Sequence, residues 1–178
     1  MPPDATGGQA QLEIGVDGGK SIDVADVNIA VVTHTFQIPS MRYPATAAFT
    51  GIGDLIGYDL DRIQVSPDGP LALTLYWRAG TTTIDKDYTV FAQLLAADGH
   101  LVAQSDSAPA EGQRPTRGWV GGEIIADRHE LNFADKTYQG NATLIVGIYD
   151  SATFARVPPQ ASPDNFVRLP VAIQVIAR

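Results

Sequence analysis

Residues 105 to 129, SDSAPAEGQRPTRGWVGGEIIADRH, bring one of the chain's two tryptophans together with Arg114, Arg117 and Arg128 and with Asp106, Glu111, Glu123 and Asp127. Two chemistries suit that mixture. A flat indole stacks on the CH-rich face of a pyranose while neighbouring carboxylates and guanidinia take the hydroxyls. The same groups can instead pair among themselves, guanidinium fork to carboxylate, and pin a long connection that has few apolar residues of its own. On the first reading Trp119, Asp106, Arg117 and Asp127 are ligand-binding candidates, and Tyr76 and Tyr149 add further rings. On the second the stretch is a structural clasp.

Other reactive constellations are scarce. His34, His100 and His129 have no spacing that aims imidazoles at one metal ion. Gly51-Ile52-Gly53 and Gly57 do not form a dinucleotide-binding fingerprint, and neither a phosphate-binding loop nor a serine elbow is present. Asp59 with Asp61, and Asp85 with Asp87, are i, i+2 carboxylate pairs of the kind that hold a structural calcium ion on β-domain loops. They are the metal candidates; no other cofactor is expected. A pair of carboxylates meeting only in space would serve a hydrolase or transferase, and linear spacing is silent on that.

Composition narrows the partners. A formal net charge of −8 with only three lysines disfavours nucleic acid, whose phosphates require clustered cations. Residues 1 to 61 carry eight acids against Lys20 and Arg42, so the acidity is concentrated early. No cysteine is present, which excludes disulfides and thiolate metal sites and leaves the compartment open. The opening MPPDATGGQAQLE has neither a basic nor an apolar signal region, and no run of apolar residues is long enough to span a bilayer.

The elements that must position these groups read as strands. In LALTLYWR, Leu71, Leu73, Leu75 and Trp77 share one face and Ala72, Thr74, Tyr76 and Arg78 the other, a period of two that predicts a half-buried strand with Trp77 in the core. DYTVFAQLLA alternates likewise, meets Asp98-Gly99, and resumes as HLVAQSD, a hairpin signal. LIGYDL, RIQVS, GEIIADRHEL, ATLIVGIYD and FVRLPVAIQVIA are also short, rich in Val, Ile, Leu and Tyr, and separated by turn residues. Helical periodicity is absent. The pattern predicts an all-β domain, an antiparallel β-sandwich of about eight strands, immunoglobulin-like or jelly-roll-like, with a barrel as the alternative. It is expected over residues 46–178, behind an extension over 1–45 in which QLEIGV and IDVADVNIAVVTHTFQI are strand candidates, able to pair with the sandwich edge or a partner.

An ordered pattern runs from Phe49 to Pro158: Gly57-Tyr58, Leu75 to Ala79, Asp87 to Phe91, Asp98-Gly99, Asp106, Pro115-Thr116, Trp119, Gly122-Glu123, Gly147 to Asp150, and Arg156. It resembles the soluble β-sandwich module at the C-terminal end of multi-spanning, Chloroflexi-type bacterial glycosyltransferase-like membrane proteins. The resemblance implies the fold and carries no catalytic or binding residues. With it, the leading expectation is a non-catalytic extracytoplasmic or cell-surface module for interaction or carbohydrate recognition, with a glycan or another envelope protein as partner and no membrane span in the chain itself. A structural or assembly protein that pairs through its N-terminal strand, and an enzyme with carboxylates converging in space, are the alternatives.

Overall fold

The computed structural model describes residues 8–16, 20–29, 33–160 and 162–177, with side chains from Thr33 onward. The chain divides into two units, Met1–His34 and Thr35–Arg178. In the first, β1 (Gly8–Val16) and β2 (Lys20–Ile29) pair antiparallel, with a bulge at Leu12/Glu13. The strand candidates QLEIGV and the first part of IDVADVNIAVVTHTFQI fall in this hairpin, residues 30–32 lie outside the described residues, and residues 33–38, expected to continue the strand, form none.

The second unit is all-β. Its strands are β3 (Tyr43–Phe49), β4 (Gly53–Leu60), β5 (Gln64–Val65), β6 (Leu71–Ala79), β7 (Tyr88–Leu95), β8 (Leu101–Ser107), β9 (Ile124–Phe133), β10 (Gly140–Asp150), β11 (Arg156–Val157) and β12 (Val167–Val175). One short 3-10 turn, Thr116–Gly118, interrupts the connection from β8 to β9. Among the described residues no helix is long and apolar enough to cross a membrane.

Each of the eight apolar runs picked out by alternation holds a strand, and the structure adds β3 and the two-residue β11, for ten. β3 escaped the pattern because Pro44 and small residues blur its alternation, although it pairs along β4 from Tyr43↔Tyr58 to Phe49↔Gly53. Two separate antiparallel sheets were expected, and the hydrogen bonding corrects this. The strands form one path, β3-β4-β6-β9-β8-β7-β10-β12-β5, that curls into a half-barrel. It is mixed, because β5 runs parallel to β12. Its two leaves are joined where β8 and β9 share the pairs Ala103↔Phe133 and Gln104↔Asn132, and beyond these the strands part.

Both leaves turn apolar faces onto a common core. Leu71, Leu73, Leu75 and Trp77 of β6 meet Val90, Ala92 and Leu94 of β7 and Leu144, Val146 and Ile148 of β10 in one buried cluster. β9 breaks the rule. Its inward positions are Ile125, Asp127, His129, Leu131 and Phe133, so two ionisable residues lie fully buried on the core face, where β8 and β9 separate. They are satisfied together. Asp127 Oδ2 accepts from Trp77 Nε1 at 3.2 Å and lies 3.0 Å from His129 Nε2, while Oδ1 accepts from the Ala110 backbone N–H at 2.8 Å. His129 Nδ1 lies 3.2 Å from Ser105 Oγ on the opposite leaf. The ring is thus held at both nitrogens, Nε2 against the Asp127 carboxylate and Nδ1 against the Ser105 hydroxyl.

The same carboxylate seats the crossover of residues 108–123. Ala110, Glu111 and Gly112 adopt left-handed backbone conformations in succession, which aims the Ala110 N–H at Asp127. Thr116 is fully buried; its hydroxyl donates to the Lys86 carbonyl at 2.9 Å and accepts from the Tyr88 N–H at 2.9 Å, tying the crossover to the start of β7. Glu123, also fully buried, pairs with Arg114 and accepts from the Val120 N–H at 3.1 Å.

Replacing Asp127 with Ala strips three donors of their acceptor, and we expect a loss of about 3–5 kcal/mol in urea denaturation. Arg117→Ala, which breaks only an exposed pair with Asp87, should stay within about 1 kcal/mol. Equal losses for the two variants would remove Asp127 from its proposed place as the anchor.

Candidate functional site

Four strands converge on the outer face of the β8-β7-β10 leaf. Register places Asp106, Phe91 and Gly147 side by side across β8, β7 and β10, and Thr89, Tyr149 and Arg156 side by side across β7, β10 and β11. Residues two apart on a strand share a face, so both rows point outward together.

Gly147 makes the arrangement possible. A Cβ there would stand 2.4 Å from Phe91 Cζ, so the Phe91 ring lies directly over the bare backbone. Its other face is covered by the Arg156 guanidinium, 4.3 Å from the ring centroid, a cation–π contact. Tyr149 continues the aromatic row at 6.3 Å from Phe91 with an interplanar angle of 27°, and Phe154 follows at 5.9 Å from Tyr149.

Phe154 is the unusual member. It is 74% exposed, and its φ of 60° is in the left-handed region that a bulky residue rarely occupies. The turn after β10 holds it there. Asp150 Oδ1 accepts the N–H groups of Ala152 at 2.9 Å and Thr153 at 3.1 Å, and Oδ2 pairs with Lys86 at 3.2 Å. These backbone donors, with Lys86, hold the Asp150 carboxyl below its ordinary value. The Phe154 N–H closes the turn on the Asp150 carbonyl at 2.8 Å. A strained, exposed aromatic fixed by a hydrogen-bonded turn stabilises nothing in the core, and such outliers cluster at binding sites.

Polar groups frame the rings. The Asp106 carboxyl is pushed above its ordinary value by loss of water around it, against which the Tyr149 hydroxyl, His129 and Arg156 pull it back. The residue as a whole is still exposed, so solvent screens the effect. Tyr149 is raised as well, first by burial, then by the Asp106 charge acting against the Thr89 contact that lowers it. Beyond the turn lies a depression of about 450 Å³ lined by Lys86, Asp87, Arg117, Asp150 and residues 151–153. Thr89 and Ser151 join hydroxyls at 2.9 Å beside it.

The sequence-derived candidates fall into separate places. Tyr149 and Asp106 meet on this platform. Trp119 does not stand open beside them: its residue is 9% exposed, its ring centroid lies 6.5 Å from that of Trp77, and its Nε1 donates to the Arg114 carbonyl at 2.9 Å. Asp127 is buried in the anchor described above. Arg117 pairs with Asp87 at 3.3 Å on the wall of the depression. Tyr76 lies on the outer face of the other leaf, donating to Asp59 at 2.8 Å, and borders a different cavity of about 440 Å³ with Gln37, Arg114 and Ile124. Of the calcium candidates, Asp59 accepts the Arg42 N–H at 2.6 Å, Asp61 takes Arg62 Nε at 2.8 Å, and Asp85 is exposed. No cluster of three metal-ligating side chains occurs among the described residues.

Phe91, Phe154 and Arg156 were not among the candidates. Phe91 reads as one more alternating strand residue, and only the register that sets it over Gly147 reveals its role. Phe154 carried a usable signal, an aromatic in a turn of small residues, DSATFAR, where no alternating pattern asks for burial. No protein-family model and no curated protein matches this chain.

The raised Asp106 value has a sign that can be checked. A carboxyl whose folded value exceeds its unfolded one favours folding while protonated, and that contribution is lost as the pH rises through the folded value. The wild type should therefore lose stability relative to Asp106→Asn as the pH climbs through the carboxylate range, followed as urea midpoints across a pH series. The opposite slope would mean that the attraction of Arg156 outweighs desolvation.

Proposed function

We propose that the unit Thr35–Arg178 is a non-catalytic carbohydrate-recognition module acting outside the cytoplasm, as an accessory part of a cell-envelope glycan system. The single observation carrying this reading is the platform of Tyr149 and the strained, exposed Phe154, flanked by Asp106 and Arg156. Sugar rings offer an apolar face and a rim of hydroxyls. The platform offers aromatic surface for the first, and a carboxylate and a guanidinium for the second. Rigid strands carry three of these groups, Asp106, Tyr149 and Arg156, which limits the ordering cost on binding.

The resemblance to the β-sandwich modules of glycosyltransferase-like membrane proteins bears on the fold, and the class of ligand rests on the platform. In this reading the two leaves act as the halves of an opened immunoglobulin-like or jelly-roll-like sandwich, one carrying the platform and the other the N-terminal connection.

The deciding experiment is a glycan array followed by calorimetry on any hit. Phe154→Gly suits the left-handed backbone and should keep stability within about 1 kcal/mol of wild type. Binding should weaken at least tenfold, ~1.4 kcal/mol, with Tyr149→Ala behaving alike. An array without hits, or a Phe154→Gly protein that binds as the wild type does, would refute the proposal.

A further inference from the structure

We infer that this platform takes a neutral oligosaccharide of two or more units, not an acidic one; the inference rests on the glycan reading above and extends it to the class of ligand.

The charges decide the first part. Three cations surround the site: two of them are paired with carboxylates, and the third lies over an aromatic ring. Arg156 covers Phe91 and lies close enough to Asp106 to lower its carboxyl, Lys86 bridges to Asp150 at 3.2 Å, and Arg117 bridges to Asp87 at 3.3 Å. A uronate or sulfate would have to compete with Asp150 for Lys86 and with Asp87 for Arg117, inside a chain of net charge −8. A neutral hydroxyl faces no such competition. A carboxylate has about four lone-pair sites and a guanidinium five N–H donors, so Asp106 and Arg156 retain capacity for hydroxyls that both donate and accept.

The shape decides the second part. The turn of residues 151–155 separates the aromatic row from the depression of about 450 Å³, and residues of that turn belong to both. Ser151 touches Thr89, which in turn neighbours Tyr149 on the adjoining strand. A sugar stacked on Tyr149 and Phe154 therefore extends across the turn, and its next unit meets the paired Lys86–Asp150 and Arg117–Asp87 groups, which present donors and acceptors without net charge.

The test is calorimetry on the intact chain with neutral gluco-, manno- and galacto-oligosaccharides of one to four units and with their uronic acid counterparts, at low and high salt. The expected result is binding of at least one neutral series, about tenfold tighter for two units than for one, little changed by salt, and at least tenfold tighter than the acidic counterpart. Arg117→Ala should erase the gain from the second unit and leave single-unit binding intact. Asp87→Asn, which releases Arg117, should raise affinity for the acidic series. An acidic series that binds the wild type as tightly as the neutral one and weakens with salt would overturn the charge argument. Equal affinity for one unit and for two would overturn the extended site. Binding of neither series would sink the glycan reading itself, and this inference with it.

Discussion

A carboxylate buried in a β-core must find donors for both oxygens, since an ionised group without them costs several kcal/mol. Asp127 meets that demand with groups from three separate parts of the second unit: the Trp77 indole on β6, the His129 ring on its own strand, and the Ala110 N–H of the crossover. Through His129 it reaches a fourth, Ser105 on β8. The constraint fixes several things at once. It holds the crossover against the core, it orients the Trp77 ring that meets Phe49 and Trp119, and it bridges the two leaves where β8 and β9 cease to pair. An apolar pair at positions 127 and 129 would fill the same space, but would leave the left-handed turn at residues 110–112 with no acceptor to hold it.

The stretch SDSAPAEGQRPTRGWVGGEIIADRH is thus a clasp over most of its length. Thr116 and Trp119 are buried, the Arg114–Glu123 pair lies beneath it, and its end carries Asp127 and His129 into the core. Only its first residues take part in the platform. On β8 the period of two separates the roles of neighbours: Ser105 faces inward to His129, and Asp106 faces outward beside Phe91.

Much of the fold was legible in the sequence because alternation reports burial directly. Leu71, Leu73, Leu75 and Trp77 lie in the core, as their period requires. Closure of the sheet was not legible. Whether two leaves separate or join depends on two residue pairs between β8 and β9, and nothing local in Ala103, Gln104, Asn132 or Phe133 announces them. The buried Asp127 and His129 left a trace that was hard to weigh. D-R-H within GEIIADRHEL keeps both on the apolar face, in phase with Ile125 and Leu131, and a strand pattern with two ionisable residues in phase with its core residues marks a satisfied internal network. On the platform, Tyr149 and Asp106 were nameable from residue type, whereas Phe91 and Arg156 gain their meaning from register and Phe154 from its backbone angle.

Rigidity in the second unit is distributed in a way that favours the outer face. The left-handed conformation of Phe154 costs on the order of 1–2 kcal/mol, and the exposed ring recovers little of that through burial. The Asp150 carboxylate offsets the cost by capping two N–H groups and holding Lys86, so the turn is set when the protein folds and not when something binds. Tyr149 is fixed between Thr89 and Arg156 by strand pairing, and Phe91 is fixed between the Gly147 backbone and the same guanidinium. A surface on which aromatic rings are locked in place loses little conformational entropy when a ligand covers them. Core stability needs none of this. Gly147 in the middle of β10 weakens the strand, and Phe154 strains the turn, so both work against folding while they shape the outer face of this leaf.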